Sequence, residues 1–430
     1  MLVAIVGAVV VGMNLRRFSL SGRKAVWFCF WAHAVGVYVH IWVTANMLGG
    51  GDLFMYEETG RILADLLSMN FQGYFEEAIR LYFQEESAFI PGLRSGSSTA
   101  SQQVFTGVLI FFTGGSFHAA SMVVSLMAFS GQVAIYLALR DVIHRQYHKR
   151  LQIACLLVPS VLFWSAAVQK EALALAGMGW IFLALMRLVY GKLSFLHVVM
   201  AIAGGILVAH SKAYILIALV AGGAAAFYWR RSQSTPGENA LVTKPLYLVV
   251  ALIVALVGMI GLGELFPRFS IQNFAEEAAA LQTAGQRVSG GSNIMLVEPE
   301  QAVELGFVGQ LTFAPVAIFT SLFRPLIVEA HNFVALVNAL ETTAILVVFI
   351  KIMWARPWRR SLTMVMNSPP LIFCLVMTMI LALGVGLTTT NLGTLSRYRL
   401  PMMPFYITIL LLLWPMKTGS SQGRTGHRRS

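Results

Sequence analysis

Residues 172–190 read Ala-Leu-Ala-Leu-Ala-Gly-Met-Gly-Trp-Ile-Phe-Leu-Ala-Leu-Met-Arg-Leu-Val-Tyr, with Arg187 as the one charge. Wound as a helix, such a run rises about 28 Å, close to the ~30 Å of hydrocarbon in a bilayer. A continuous apolar run satisfies its backbone in lipid only as a helix, because a membrane barrel needs alternating faces. The stretch therefore decides the class: a helix that crosses a membrane.

Working outward, comparable runs lie at 25–48, 117–139, 151–168, 194–210, 213–229, 245–263, 333–353, 370–388 and 400–416. Residues 2–13 form a shorter run, about 18 Å as a helix. It lacks the basic start and small-residue cleavage site of a signal peptide, and reads as a tilted or partly inserted helix or a trimmed start. Composition agrees: only 12% of the residues are charged, half the ~25% of a soluble domain. The expected fold is an all-α polytopic transmembrane bundle of 10–11 spans, with 1–430 as a single integral membrane domain.

The loops between runs sort by charge. Segments 14–24, 140–150, 187–192, 230–244, 351–360 and 417–430 hold 21 of the 31 Lys and Arg residues and two acids, Asp141 and Glu238. The opposite loops hold the other 10 basic residues and 17 acids. The positive-inside rule makes the first set cytoplasmic, which puts the chain in a bacterial inner membrane with 417–430 as a cytoplasmic tail. The net charge of +12 is thus a topology signal rather than a nucleic-acid footprint. Cys29, Cys155 and Cys374 all fall inside apolar runs, so neither a loop disulfide nor a paired zinc motif is expected. No cofactor is named by the sequence, and a divalent cation stays open.

Two extracytoplasmic segments are large. In 49–116, Ile62, Leu63, Leu66 and Leu67 share one helical face, and Phe75, Ile79, Tyr82 and Phe83 repeat the pattern. Such helices either lie flat in the outer interface or pack on each other. In 264–332, a short helix around 271–283 precedes Ser-Gly-Gly-Ser at 289–292, and the apolar stretch 306–323 reads as re-entrant or interfacial.

Ionisable residues at membrane edges are costly, and they mark wet cavities or protein interiors. Those outside the basic loops gather on the outer side. Asp52 follows three glycines after the run 25–48, and Lys170 and Glu171 occupy an outer turn. His210 and Lys212 occupy the next outer turn. Arg324, Glu329 and His331 precede the run 333–353, Glu341 lies about two turns inside it, and Arg397 and Arg399 precede the last run. Each has a bland alternative as turn, anchor or helix-start device; together they favour a site. The inner halves of the runs read as dry apart from scattered Ser, Thr and Gln, and no internal repeat is seen. Both features weigh against a transporter or lipid-glycan flippase.

No phosphate-binding loop for ATP is present. An enzyme on this face therefore needs an energised substrate delivered through the bilayer, and a polyprenyl-phosphate sugar meets that need. Its phosphate wants Arg or Lys, its tail a groove between helices, and the acceptor hydroxyl a carboxylate base.

At these residues the chain resembles the GT-C superfamily of membrane glycosyltransferases that use lipid-linked sugars. The resemblance lies in Gly-Asp-Leu-Phe-Met-Tyr-Glu-Glu at 51–58 and Ser-Arg-Tyr-Arg-Leu-Pro-Met-Met-Pro at 396–404. Residues 159–171 and 322–332 look like segments of bacterial surface-polysaccharide membrane proteins. The resemblance implies an essential carboxylate in the first outer loop, at Asp52, and interfacial helices in that loop. Many members carry adjacent acids there, whereas here Leu53 follows Asp52 and Glu57 comes five residues later, so the base lies between Asp52 and Glu57. Lys170, His210, Lys212, Arg324, Glu329, Arg397 and Arg399 are the candidate substrate or phosphate ligands. A second resemblance is to O-antigen and exopolysaccharide polymerases, which use undecaprenyl-diphosphate-linked repeat units and carry a sizeable late outer loop. The implied partners are a polyprenyl-linked sugar or glycan, the bilayer and other polysaccharide-assembly proteins.

Overall fold

The computed structural model describes residues 1–15, 18–85, 97–233, 294, 296, 305 and 309–415. Among these, every regular element is helical, and six helices are long and apolar enough to cross a membrane. They are α2 (Leu20–Asn46), α6 (Phe117–Arg140), α9 (Lys170–Val189), α10 (Phe195–Lys212), α13 (Phe333–Ala355) and α15 (Pro369–Thr388). The chain is a helical membrane protein. The expected run 245–263, the helix around 271–283 and the tail 417–430 lie outside the described residues.

The helix α9 is the centre of the bundle, and small residues let its neighbours close on it. A Cβ on Gly179 would sit 2.1 Å from the Gly131 carbonyl of α6, and one on Gly177 would sit 2.5 Å from the Gly204 carbonyl of α10. Backbones in such contact gain close packing where lipid supplies no hydrophobic drive. The outer surface of α2 carries the exposed Phe28, Trp31, Val35, Tyr38 and Trp42, which suits contact with acyl chains. The N-terminal α1 (Leu2–Asn14) buries no residue.

Two expected spans are not single long helices. The run 151–168 divides into α7 (His148–Leu156) and α8 (Pro159–Trp164). Val158 takes an extended backbone because the ring of Pro159 excludes the helical region for the residue before it. The break is stabilised from the side: Glu341 of α13 accepts from Ser160 N at 2.8 Å and Ser160 Oγ at 2.6 Å, so it caps the start of α8. The run 400–416 becomes a 3₁₀ turn over Leu400–Met402 and then α17 (Met403–Leu413). Its eleven residues give about 16 Å of helix, well short of a bilayer. Arg150 holds its far end through the carbonyls of Leu411 (2.7 Å) and Trp414 (2.5 Å). The stretch 306–323 yields α12 (Ala314–Phe323), also too short to cross.

The first large segment forms a layer of three helices packed on each other: α3 (Asp52–Met69), α4 (Phe71–Tyr82) and α5 (Ser98–Phe112). Leu63, Leu67, Ala78, Leu81 and Val104 make its core. The buried face of α4 is therefore Ala78 and Leu81, whereas Ile79 and Phe83 of the expected face are exposed. The small Ala78 suits a helix wedged between two others. Gly60 faces Thr106 and Gly107, and Phe71, just beyond α3, stacks on Phe111 at the end of α5 at 5.5 Å. The helices α3 and α5 thus run in the same direction, with Asp52 and Ser98 at one end.

The interior is less dry than its sequence reads. Ser21 donates to Gln152 (3.0 Å), which donates to Tyr136 (3.3 Å). Further along α2, His33 meets Ser125 (3.0 Å) and Gln132 (2.7 Å). The reason is helical spacing: polar residues scattered in sequence fall on the facing sides of α2 and α6. Beyond His33, Ala34, Val37 and Met122 pack together, and two turns further the buried His40 meets Phe163 O (3.0 Å) and Gln169 (3.3 Å).

Candidate functional site

The site is assembled at helix ends. Gly49, Gly50 and Gly51 have φ of 69°, 101° and 114°, a left-handed path that favours glycine. It turns the chain sharply after α2 and delivers Asp52 as the first residue of α3. Opposite, Asn391 Oδ1 accepts from Thr394 N at 2.8 Å and starts the short helix α16 (Leu392–Tyr398), which carries Arg397 in its last turn. Glu171 sits in the first turn of α9, and Lys212 ends α10.

These four side chains form one charged chain. Arg397 Nη2 donates to Asp52 Oδ2 at 2.8 Å, and its Nε donates to Glu171 Oε1 at 2.7 Å. The same oxygen takes Lys212 Nζ at 2.9 Å. Glu171 is fully buried while the Asp52 side chain is 47% exposed, so the chain runs from the interior to an accessible mouth. Lys212 Nζ lies 3.9 Å from the centre of the Tyr398 ring, a cation–π contact that offsets part of its desolvation. Burial works against the Arg397 charge, but Glu171 and Asp52 outweigh it and push the guanidinium pKa well above its ordinary value. The phenol of Tyr56, one turn along α3 from Asp52, is pushed well up by burial and next by the Asp52 charge. Among the described residues Glu171 Oε2 has no hydrogen-bond partner, which leaves an acceptor inside the cluster. Lys170 extends to Ser98 Oγ (3.0 Å) and Thr99 Oγ1 (2.9 Å) at the start of α5.

Of the residues singled out from the sequence, Asp52, Lys170, Lys212 and Arg397 come together here. Glu57 does not. It pairs with Arg61 at 2.7 Å on another side of α3, because five residues along a helix turn the side chain away from the first. His210 stacks on Tyr82 at 4.8 Å and its Nδ1 donates to Ile206 O at 2.9 Å, wedging α10 against the end of α4. Arg324 and Glu329 close on each other through Arg324 Nε at 2.8 Å. Arg399 is fully buried and donates to Arg324 O at 2.9 Å. It points away from Arg397 because residues two apart near a helix end diverge by more than half a turn. The sequence reading left Glu171 out of the candidates, yet both cations converge on it. Its signal was an acid at the head of a long apolar run. Ser98, Thr99 and Tyr398 carried none that spacing could find.

The arrangement can bind an anion and move a proton. Asp52 and Glu171 stand against Lys170, Lys212 and Arg397, a formal excess of one positive charge. Among the described residues no group of three His, Cys, Asp or Glu side chains is placed to hold a metal ion. Comparison with protein-family models, curated proteins and solved structures finds no match.

Proposed function

We propose that this chain is a glycosyltransferase of cell-surface polysaccharide assembly, taking sugar from a polyprenyl-phosphate-linked donor on the extracytoplasmic face of a bacterial inner membrane. In this reading the chain crosses 10–11 times and its C-terminus is cytoplasmic. One observation carries the proposal: a half-exposed carboxylate joined through an arginine to a buried acid and a second cation, at one end of a bundle of apolar helices. The donor phosphate competes with Asp52 for Arg397, since a phosphate offers the guanidinium the same paired acceptor geometry as a carboxylate. Freed from that ion pair, Asp52 is the better base. The acceptor hydroxyl gives Asp52 its proton as its oxygen attacks the anomeric carbon. The bond from that carbon to the phosphate oxygen breaks, and its electron pair leaves with the polyprenyl phosphate. Arg397 and Lys212 stabilise the charge that develops there.

Replacing Asp52 with Asn tests the base. Transfer by the purified protein should fall by about 10²–10⁴, the usual contribution of a general base, and the variant should not restore surface glycan in a deletion strain. Full activity at normal protein level would remove Asp52 from the mechanism. The polymerase reading draws on 264–332, much of it outside the described residues, and no described contact favours it. A transport path would need a continuous polar seam, and Ala34, Val37 and Met122 stand between His33 and the buried His40–Gln169 pair near the site.

A further inference from the structure

The connection between α13 and α15 is itself helical. Its α14 (Trp358–Met366) has nine residues, about 13 Å of helix, and joins two of the helices long enough to cross the membrane. A proline bounds it at each end. Pro357 and Pro369 hold Arg356 and Ser368 in extended backbone, since the residue before a proline is kept from the helical region. The chain thus leaves one span, runs along α14 and enters the next, which places α14 where both spans reach the membrane surface. Gln233 donates to Asn367 O at 3.0 Å and pins the far end.

The sides of α14 differ. Ser361 and Val365 are buried against the bundle. Trp358 and Leu362 form the neighbouring side and are 59% and 47% exposed. Arg359 and Arg360 take the remaining side, and both are exposed. Arg356 reaches back to α14, its Nη1 donating to Met364 Sδ at 3.5 Å. The Arg359 guanidinium lies 5.6 Å from the centre of the Trp358 ring, so aromatic and charge are held side by side. Trp354, at the end of α13, is 86% exposed. Among the described residues none of these three arginines pairs with a carboxylate, and the sequence holds no acid after Glu341. Exposed tryptophans beside arginines fit the boundary where acyl chains give way to headgroups. Arginines left without acids at that boundary attract negative lipid charge.

We propose that α14 and the end of α13 form a binding surface for anionic phospholipid headgroups. Trp354 and Trp358 sit among the upper acyl chains, and Arg356, Arg359 and Arg360 meet the phosphates. Such contacts need no particular headgroup, so the surface selects negative charge. The helix α16, which carries Arg397, follows the other end of α15. The surface therefore lies at the opposite end of that helix from the Asp52 cluster, and it does not depend on the glycosyltransferase reading.

The full-length protein in phosphatidylcholine nanodiscs, with a small share of lipid brominated near the headgroup, tests this. Bromine quenches nearby tryptophan, and the signal of Trp354 and Trp358 is the difference from the variant Trp354→Phe, Trp358→Phe. Brominated phosphatidylglycerol should quench these two about tenfold more effectively than brominated phosphatidylcholine, since a basic residue at an anionic surface contributes roughly fivefold. The double variant Arg359→Gln, Arg360→Gln should remove most of that preference, whereas Arg359→Lys, Arg360→Lys should keep it. Both arginines are exposed, so an unchanged unfolding midpoint should accompany the loss. Equal quenching by the two lipids, or a preference that survives the glutamine variant, would overturn the surface. Quenching of Trp354 and Trp358 by neither lipid would also overturn it, because protein would then cover this face. Abolition of the preference by added inorganic phosphate, with sulfate at equal ionic strength inert, would assign the arginines to a free phosphate instead.

Discussion

At the scale of single residues, Glu171 holds the cluster together and Asp52 faces its opening. Glu171 is fully buried and neutralises both Arg397 and Lys212. Removing one member of a buried pair leaves its partner charged and unsolvated, which costs about 3–5 kcal/mol. Glu171→Gln should therefore destabilise the detergent-solubilised protein by about that amount, read as a markedly lowered unfolding midpoint. An unchanged midpoint would mean that Arg397 and Lys212 find other counter-charges. Asp52 is half exposed, and ion pairs of that kind contribute at most about 1 kcal/mol. Asp52→Asn thus separates chemistry from folding, which Glu171→Gln cannot. The two arginines of Ser-Arg-Tyr-Arg differ in the same way. Arg397 reaches the cluster, whereas the buried Arg399 bonds the chain turn at Arg324.

Elements take their positions from contacts that leave no room for a side chain. Gly179 meets the Gly131 carbonyl, and Gly177 and Gly204 meet each other's. These contacts fix α6 and α10 on α9, and with them the distance from Lys212 to Glu171. Gly179→Ala should push α6 off α9 and destabilise the bundle by about 1–3 kcal/mol or more, as overpacking does. Gly205→Ala is the control. A Cβ there meets nothing within 4 Å, and alanine favours a helix over glycine by up to about 1 kcal/mol. Comparing thermal unfolding of the two variants checks the seam, and equal midpoints would dissolve it. The broken run of α7 and α8 has a related logic. Pro159 forces the interruption, and Glu341 takes the Ser160 amide and hydroxyl that the break exposes. A glutamate that reads from the sequence as an intramembrane charge is here a cap.

Across the whole molecule, the helix ends sort into two polar layers. One gathers Asp52, Lys170, Glu171, Lys212 and Arg397; the other includes Arg187, bonded to Asp141 at 2.5 Å. All three native cysteines are buried, so the protein offers a quiet background for labelling. A cysteine at the exposed Ser68 should react with a membrane-impermeant maleimide on intact cells, and one at the exposed Gln146 only after the inner membrane is opened. The reverse pattern would invert the topology. The sequence by itself determined that the chain is helical and membrane-embedded, since apolar length and the hydrocarbon thickness leave little choice. Its loop charges also give an expectation of which ends share a side. It marked Asp52, Lys170, Lys212 and Arg397 as costly where they stand. Only the tertiary structure decided that these four meet, that Glu171 joins them, and that Glu57, His210, Arg324, Glu329 and Arg399 serve other contacts. The physical reason is one of range. Periodicity and hydropathy act within an element, whereas the 345 residues separating Asp52 from Arg397 are bridged only by how glycine seams, proline breaks and capped turns set helix against helix.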